Sequence, residues 1–382
     1  MQTFEKGTFG YDLNYLSEKD SLIILKGENG NVQVIVSAKY QGKVFTSTVA
    51  GLSGKSLGFI NYKVFDSGVI DERMNGYGGE NRFWLGPEGG IYSIFFAPGA
   101  EQVYDNWHTP RPIDIEAWNR VSSNEKEAVL EKEMQVNNYL GNNLHLKVVR
   151  KITLLEENTA CQLLGITNNL QLGLAAYSTE NTIYNLNDFE WTPQTGTVCI
   201  WIADMLKSAP RAVSIIPFIE GDEKALGKIV TSDYFGEMPA DRLKIKGNAI
   251  FMKTDGNYRS KLGLNEKRTK AAAGNYNPDS KQLTIITFDV DKEAVYLNQE
   301  WNPEKDPLIG DALNAYNDGP LADGSIMGPF LELESVSPAA FLKPGQSLSH
   351  THNVFHFVGE ETDLKQAAEQ LLGISTLVDR RQ

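Results

Sequence analysis

This sequence predicts a mainly β fold of large antiparallel sheets with one short helix at its C-terminal end, and three observations predict it. Short runs rich in Val, Ile, Leu and aromatic residues recur along the chain, each bounded by Gly, Asn, Asp or Pro. No Gly/Pro/Ser-rich linker, fixed-period repeat or low-complexity tract interrupts them, so residues 1–382 read as one large domain of two stacked or curved sheets. A single segment, near the C-terminus, carries a clear helical period.

The elements follow in order. Leu22–Leu25 leads into the turn Gly27-Glu28-Asn29-Gly30, and the valine- and isoleucine-rich Val32–Ser37 follows. Ile91–Phe96, Leu144–Leu155, Cys161–Asn168, Val198–Ile202, Ala212–Pro217, Leu243–Met252 and Leu283–Val290 read as further strands, with turn clusters such as Asn275-Tyr276-Asn277-Pro278-Asp279 between them. Asn124–Asn137 reads two ways. Its Glu, Lys, Ala and Leu favour helix, while its alternation also fits a strand with charged faces. Gly328–Phe357 reads as a strand, a proline-marked corner, the turn Lys343-Pro344-Gly345-Gln346 and a second strand. In the terminal helix Thr362 is placed as cap and Gly373 as stop, and Leu364, Ala367, Ala368, Leu371 and Leu372 share a face that docks on the sheet.

Composition narrows the function classes. With 36 Lys+Arg against 49 Asp+Glu the formal net charge is −13, which argues against nucleic acid or an anionic membrane as partner and is compatible with a neutral ligand such as a sugar. No run of about 18 apolar residues occurs, so no membrane insertion is expected. The first residues lack the apolar core of a signal peptide, leaving a cytoplasmic protein or one whose signal has been removed. Cys161 and Cys199 read as two buried thiols rather than a disulfide framework or a metal site. No phosphate-binding glycine loop, Gly-x-Ser-x-Gly elbow or Cys-x-x-Cys is present. No cofactor is expected, calcium held by carboxylates and carbonyls being the one left open. The composition leaves the oligomeric state open.

Five segments carry candidate chemistry. Gly78–Gly90 reads as a close-packed glycine loop around Arg82, a fork of donors, Trp84, a stacking platform, and Glu88, a carboxylate between Pro87 and Gly89; a tight β connection with a core tryptophan is the plainer account. Asp105–Pro112 offers Trp107 and His108, the histidine being either a sugar contact or merely solvated. Tyr177–Asp188 and Tyr316–Pro320 are dense in amides and carboxylates, the latter favoured as a plain turn. Tyr234–Arg242 and Asp255–Arg259 resemble turns with weak signals. In the fifth, alternation puts Glu332 and Glu334 on one face of a strand, and His350, His352 and His356 on one face of the next. The histidines are either solvent-facing decoration or partly buried beside Leu348 and Val354. The two carboxylates, next to Phe330 rather than a basic residue, call for ligand, metal or solvent.

Read together, GGENRFWLGPEGG, AYSTENTIYN, PADRLKIKG, YNDGP, GPFLELESVSPA and the closing His/Thr-rich strand resemble the galactose mutarotase-like superfamily of β-supersandwich proteins, and within it an uncharacterised bacterial family. The resemblance covers most of the chain. It implies a small-molecule carbohydrate as partner and epimerase- or mutarotase-like acid/base chemistry, with a non-catalytic sugar-binding protein as the alternative. It also implies an extracytoplasmic, periplasmic location. In the epimerases a late-strand carboxylate takes the anomeric proton, which matches Glu334, with Glu332 two residues earlier as alternative; an Asn-Arg pair that holds the sugar matches Asn81-Arg82. The two epimerase histidines are not matched: Glu88 stands where one is expected and Asn181 where the catalytic one is. The resemblance therefore leaves Glu88 or His108 as acid, Glu334 as base, and Asn81, Arg82, Trp84, Asn181 and Glu332 as ligand contacts.

Overall fold

The computed structural model describes residues 3–167, 171–321 and 324–374. The chain opens with a helix over Phe9–Ser17 and a three-stranded meander, β1 (Ile23–Lys26), β2 (Gln33–Ser37) and β3 (Lys43–Thr48). Then come β4 (Arg82–Gly86), β5 (Asn119–Ser123), β6 (Glu127–Asn137), β7 (Asn143–Leu155) and β8 (Gly173–Asn185). The central part holds β9 (Cys199–Lys207), β10 (Val213–Pro217), β11 (Leu243–Lys246), β12 (Ala249–Lys253) and β13 (Ser260–Leu264). The last third holds β14 (Ala272–Asn277), β15 (Gln282–Phe288), β16 (Leu313–Asn317), β17 (Phe330–Val336) and β18 (Ser347–Val358), and ends in the helix Glu361–Leu372. All pairings between these strands are antiparallel.

Two sheets make the sandwich. A ten-stranded sheet runs β11-β12-β10-β14-β15-β18-β8-β7-β6-β5, and a five-stranded sheet runs β13-β16-β17-β9-β4. Phe83, Leu85, Ile200, Ile202 and Leu333 of the smaller sheet share one buried cluster with Val148, Ile183, Ile286 and Val354 of the larger. Each such fully buried side chain contributes about 1.5–3 kcal/mol. The other face of the larger sheet is covered by the C-terminal helix, whose Leu364, Ala367, Ala368 and Leu372 pack with Leu283, Ile285, Phe355 and Phe357.

Several elements differ from the sequence reading. Ile91–Phe96 is a turn-rich segment whose residues 92–96 are all buried, so its apolar run fills core without joining a ladder. Cys161 belongs to a helix, Glu157–Leu164, stopped by Gly165 in the left-handed region at φ 65°; a short apolar run does not distinguish a strand from a buried helix. The end of that reading, Asn168, lies outside the described residues. Leu243–Met252 is a hairpin, β11 and β12, turning at Gly247 with φ 56°. Asn124–Asn137 resolves as β6, because pairing with β5 and β7 along its length outweighs helix propensity. The terminal helix is capped two residues before Thr362, by Glu360, and ends at Gly373 with φ 60°.

The two strands of Gly328–Phe357 do not pair. β17 lies in the small sheet between β16 and β9, and β18 in the large one between β15 and β8. Their facing sides meet across the sandwich, which decides where the carboxylates and the histidines go.

Candidate active site

The outward face of the five-stranded sheet collects charge. In register, Lys261 of β13 pairs with Tyr316 of β16, Tyr316 with Glu332 of β17, and Glu332 with Met205 of β9. One step along, Asn314, Glu334, Ala203 and Arg82 form the next row, and Trp201 beside Trp84 a third. Side chains on one row and those two residues away share a face. Ala203, between Glu334 and Arg82, carries only a methyl group, so the row is hollow at its centre. Loops raise the walls: Trp107 stacks on Phe95 at 5.8 Å and on Trp301 at 6.1 Å between ring centroids. The cavity, its open mouth included, is about 500 Å³, and is lined by Arg82, Trp84, Glu88, Trp107, Trp201, Arg259, Lys261, Trp301, Tyr316, Glu332 and Glu334 among others.

Glu88 arrives from the turn after β4. A Cβ on Gly89 would stand 2.2 Å from the Glu300 carbonyl oxygen and 2.7 Å from the Cα of Trp301, so only glycine lets this turn press against the segment that carries Trp301.

The electrostatics are paired but not closed. Arg82 is bonded to Glu332, and its guanidinium lies 4.8 Å from the centre of the Trp84 ring. Lys261 Nζ is 3.0 Å from Glu334 Oε2 and 4.0 Å from Glu88 Oε2, and Trp201 donates its indole N–H to Glu334 Oε2 at 2.8 Å. Glu334 Oε1, although buried, has no hydrogen-bond partner among the described residues. A buried carboxylate oxygen without a partner is costly, and a ligand donor is one remedy. Burial pushes the Glu332 carboxyl up to about 7, against the pull of Arg82 and with Glu334 adding to the rise. Burial also raises Glu88, with Lys261 and Arg259 opposing. Burial alone would lower Lys261, but Glu334 and Glu88 outweigh it and hold the ammonium above its ordinary value.

Of the residues singled out from sequence, Glu88, Arg82, Trp84, Glu332 and Glu334 line this cavity together. Three do not. Asn81, one residue from Arg82, points to the opposite face, where it donates to Asp204 at 2.7 Å. Asn181 is buried on the large sheet and accepts from Arg150 at 2.6 Å. His108 is exposed and borders a separate surface cavity. The closing histidines are fully buried between the sheets rather than solvent-facing: Ser335 is bonded to His350 at 2.8 Å and His352 at 2.7 Å, and His352 to Asp204 at 2.7 Å. Burial, with His352 nearby, pushes His350 down to about 3.

Sequence reasoning passed over Lys261, Trp201 and Trp301, and ranked Arg259, Phe235 and Tyr316 as turn residues. Within β13, Ser260, Leu262 and Leu264 alternate with Lys261 and Gly263, and that alternation was the available signal for a charged face. Among the described residues, no group of three or more His, Cys, Asp or Glu is arranged to hold a metal ion, and no helix is long and apolar enough to cross a membrane.

A family model described as a family of unknown function, DUF6786, matches residues 7–378. The chain belongs to that family. No protein of curated function matches the sequence. Among solved structures the fold is similar to the Slr1438 protein from Synechocystis sp. PCC 6803, at 12% identity and TM-score 0.50 over 94% of this chain and 100% of that one. It is similar to a candidate aldose 1-epimerase from Escherichia coli K12, at 12% identity and TM-score 0.51 over 88% and 98%. It is also similar to a galactose mutarotase-like protein from Lactobacillus casei ATCC 334, at 9% identity and TM-score 0.50 over 88% and 100%. The fold of this family member is therefore galactose mutarotase-like.

Proposed function

We propose that the cavity binds a carbohydrate and opens and recloses its ring by carboxylate acid/base chemistry, as an epimerase or mutarotase does. The observation that carries the proposal is Glu334: one oxygen is held by Trp201 and Lys261, and the other is buried and unpartnered. Such a carboxylate is fixed in place with one lone-pair direction open to a ligand. In the proposed reaction Glu334 accepts the anomeric O–H proton. Glu88, its proton held by burial, donates to the ring oxygen, and the C1–O5 bond breaks to give the open aldehyde. Rotation about C1–C2 presents the other carbonyl face. Reclosure then returns the proton from Glu334 to the anomeric oxygen and the ring-oxygen proton to Glu88. Both carboxylates lie within 4.0 Å of Lys261 Nζ, which would keep them in electrostatic communication through the cycle. Trp84, Trp107 and Trp301 supply apolar faces of the kind on which sugar rings pack.

A second reading, a sugar-binding protein without catalysis, is favoured by the lack of any histidine among the residues lining the cavity. Titration calorimetry against a panel of monosaccharides, followed by proton NMR of anomer interconversion on each binder, separates the two. Acceleration that disappears in Glu334→Gln supports the enzyme. Binding with no acceleration leaves the binding protein, and no binding at all removes both.

A further inference from the structure

Arg82 and Lys261 are each committed to a carboxylate of the cavity, but Arg259 is not. Among the described residues, its η nitrogens meet no carboxylate within salt-bridge distance. Its one hydrogen bond runs from Nε to the Tyr316 hydroxyl at 3.3 Å. That hydroxyl in turn donates to Asp318 Oδ1 at 2.9 Å, and Asp318 is anchored by the Gly328 N–H at 2.8 Å. The guanidinium also lies flat enough on Phe235 to bring its carbon 3.8 Å from the ring centre. Arg259 is thus gripped through Nε and one planar face, and its two terminal nitrogens are left on the cavity wall. A guanidinium held this way presents a rigid pair of N–H donors that matches a carboxylate or phosphate two oxygens at a time. The support is built in: Tyr316 and Asp318 are buried, and Arg259, the residue before β13, lines the same cavity as Lys261.

We infer that the ligand is a sugar acid, and that Arg259 binds its carboxylate in a two-point contact. This rests on the carbohydrate reading above and names the class of sugar. A carboxylate fits better than a phosphate ester because, among the described residues lining the cavity, Arg259 is the single cation without a carboxylate partner. A phosphate near neutral pH carries close to two negative charges, and it would enter a cavity that already holds Glu88, Glu332 and Glu334.

The test is titration calorimetry on the full-length protein with matched sets: D-galactose, D-galacturonate and D-galactose 6-phosphate, and the corresponding glucose set. The uronate is expected to bind about 10- to 100-fold more tightly than its parent hexose, the size of a charge-assisted contact. Arg259→Gln is expected to erase that ratio, and Arg259→Lys to keep part of it. Comparing the acid with the neutral sugar on the same variant separates a local loss from a folding defect, which lowers both. Equal binding of hexose and uronate overturns the inference and leaves the carbohydrate reading standing. A preference for the phosphate ester that Arg259→Gln removes overturns the carboxylate assignment. A preference for the uronate that survives both variants removes Arg259 as its cause. No binding by any of the sugars overturns this inference and the carbohydrate reading together.

Discussion

On one face of β17, Glu332 and Glu334 line a cavity; on the other, Ser335 joins His350 and His352 in the sealed space between the sheets. Both faces carry an arginine, carboxylates and amide or hydroxyl groups, but their bonding differs. Inside, Arg150 donates to the Gly42 carbonyl at 2.9 Å and to Asn181 at 2.6 Å, and it is also bonded to Asn81. Asn81 and His352 then saturate the two oxygens of Asp204 at 2.7 Å each. One set of roles connects the chain: His350 Nε2–H to Ser335, Ser335 O–H to His352 Nδ1, and His352 Nε2–H to Asp204, with His350 Nδ1 left without a partner among the described residues. On the cavity side, Glu334 Oε1 and Arg82 Nε are buried without partners among the described residues, and Arg259 keeps two nitrogens free of them. The inter-sheet network holds two sheets in register and its few spare atoms are sealed away, whereas the spare groups of the other side belong to residues that line a cavity a ligand can enter. Histidines alone therefore do not mark chemistry; unsatisfied groups on the wall of an open cavity do.

The comparison breaks most visibly at its structural end. Arg150→Ala leaves the Gly42 carbonyl and the Asn81 and Asn181 amide oxygens buried with unmet bonds and removes the charge that faces Asp204, and should lower stability by about 3–5 kcal/mol in denaturant unfolding. On the open side the expectation reverses. Glu334→Gln still accepts from Trp201 and Lys261, and Glu88 stays beside the Lys261 ammonium, so unfolding should shift by less than in Arg150→Ala, while any anomerase rate should fall by about 10²–10⁴. A variant as destabilised as Arg150→Ala would place Glu334 among the structural groups instead.

A smaller effect tests the raised carboxyl. The Glu332 carboxyl, up to about 7 when folded, holds its proton better than in the unfolded chain. Its contribution to stability is therefore fully present below the ordinary carboxylate range and is lost as pH rises towards about 7. Unfolding free energy should decline over that window, and the decline should be shallower in Glu332→Gln. A curve unchanged by the substitution would remove Glu332 as its source. The smallest effect belongs to His108→Ala, an exposed loop residue away from both regions. Stability within about 0.5 kcal/mol of the parent and unaltered sugar binding are expected; a loss of binding would redraw the cavity.

The sequence by itself determined the β character, the terminal helix stopped by Gly373, and the shared face of Glu332 and Glu334, because each depends on local periodicity and turn chemistry. Alternation likewise put Asn81 and Arg82 on opposite faces, although reading them as a pair concealed it. Only the tertiary structure decided that β17 and β18 lie in opposite sheets, which parts the carboxylates from the histidines by the thickness of a strand. It alone brought Lys261, Trp201, Arg259 and Trp301 around Glu334 from segments far apart in the chain. Strand periodicity tells which residues share a face. Which faces meet, and which are left open, depends on pairings between distant strands that no local pattern encodes.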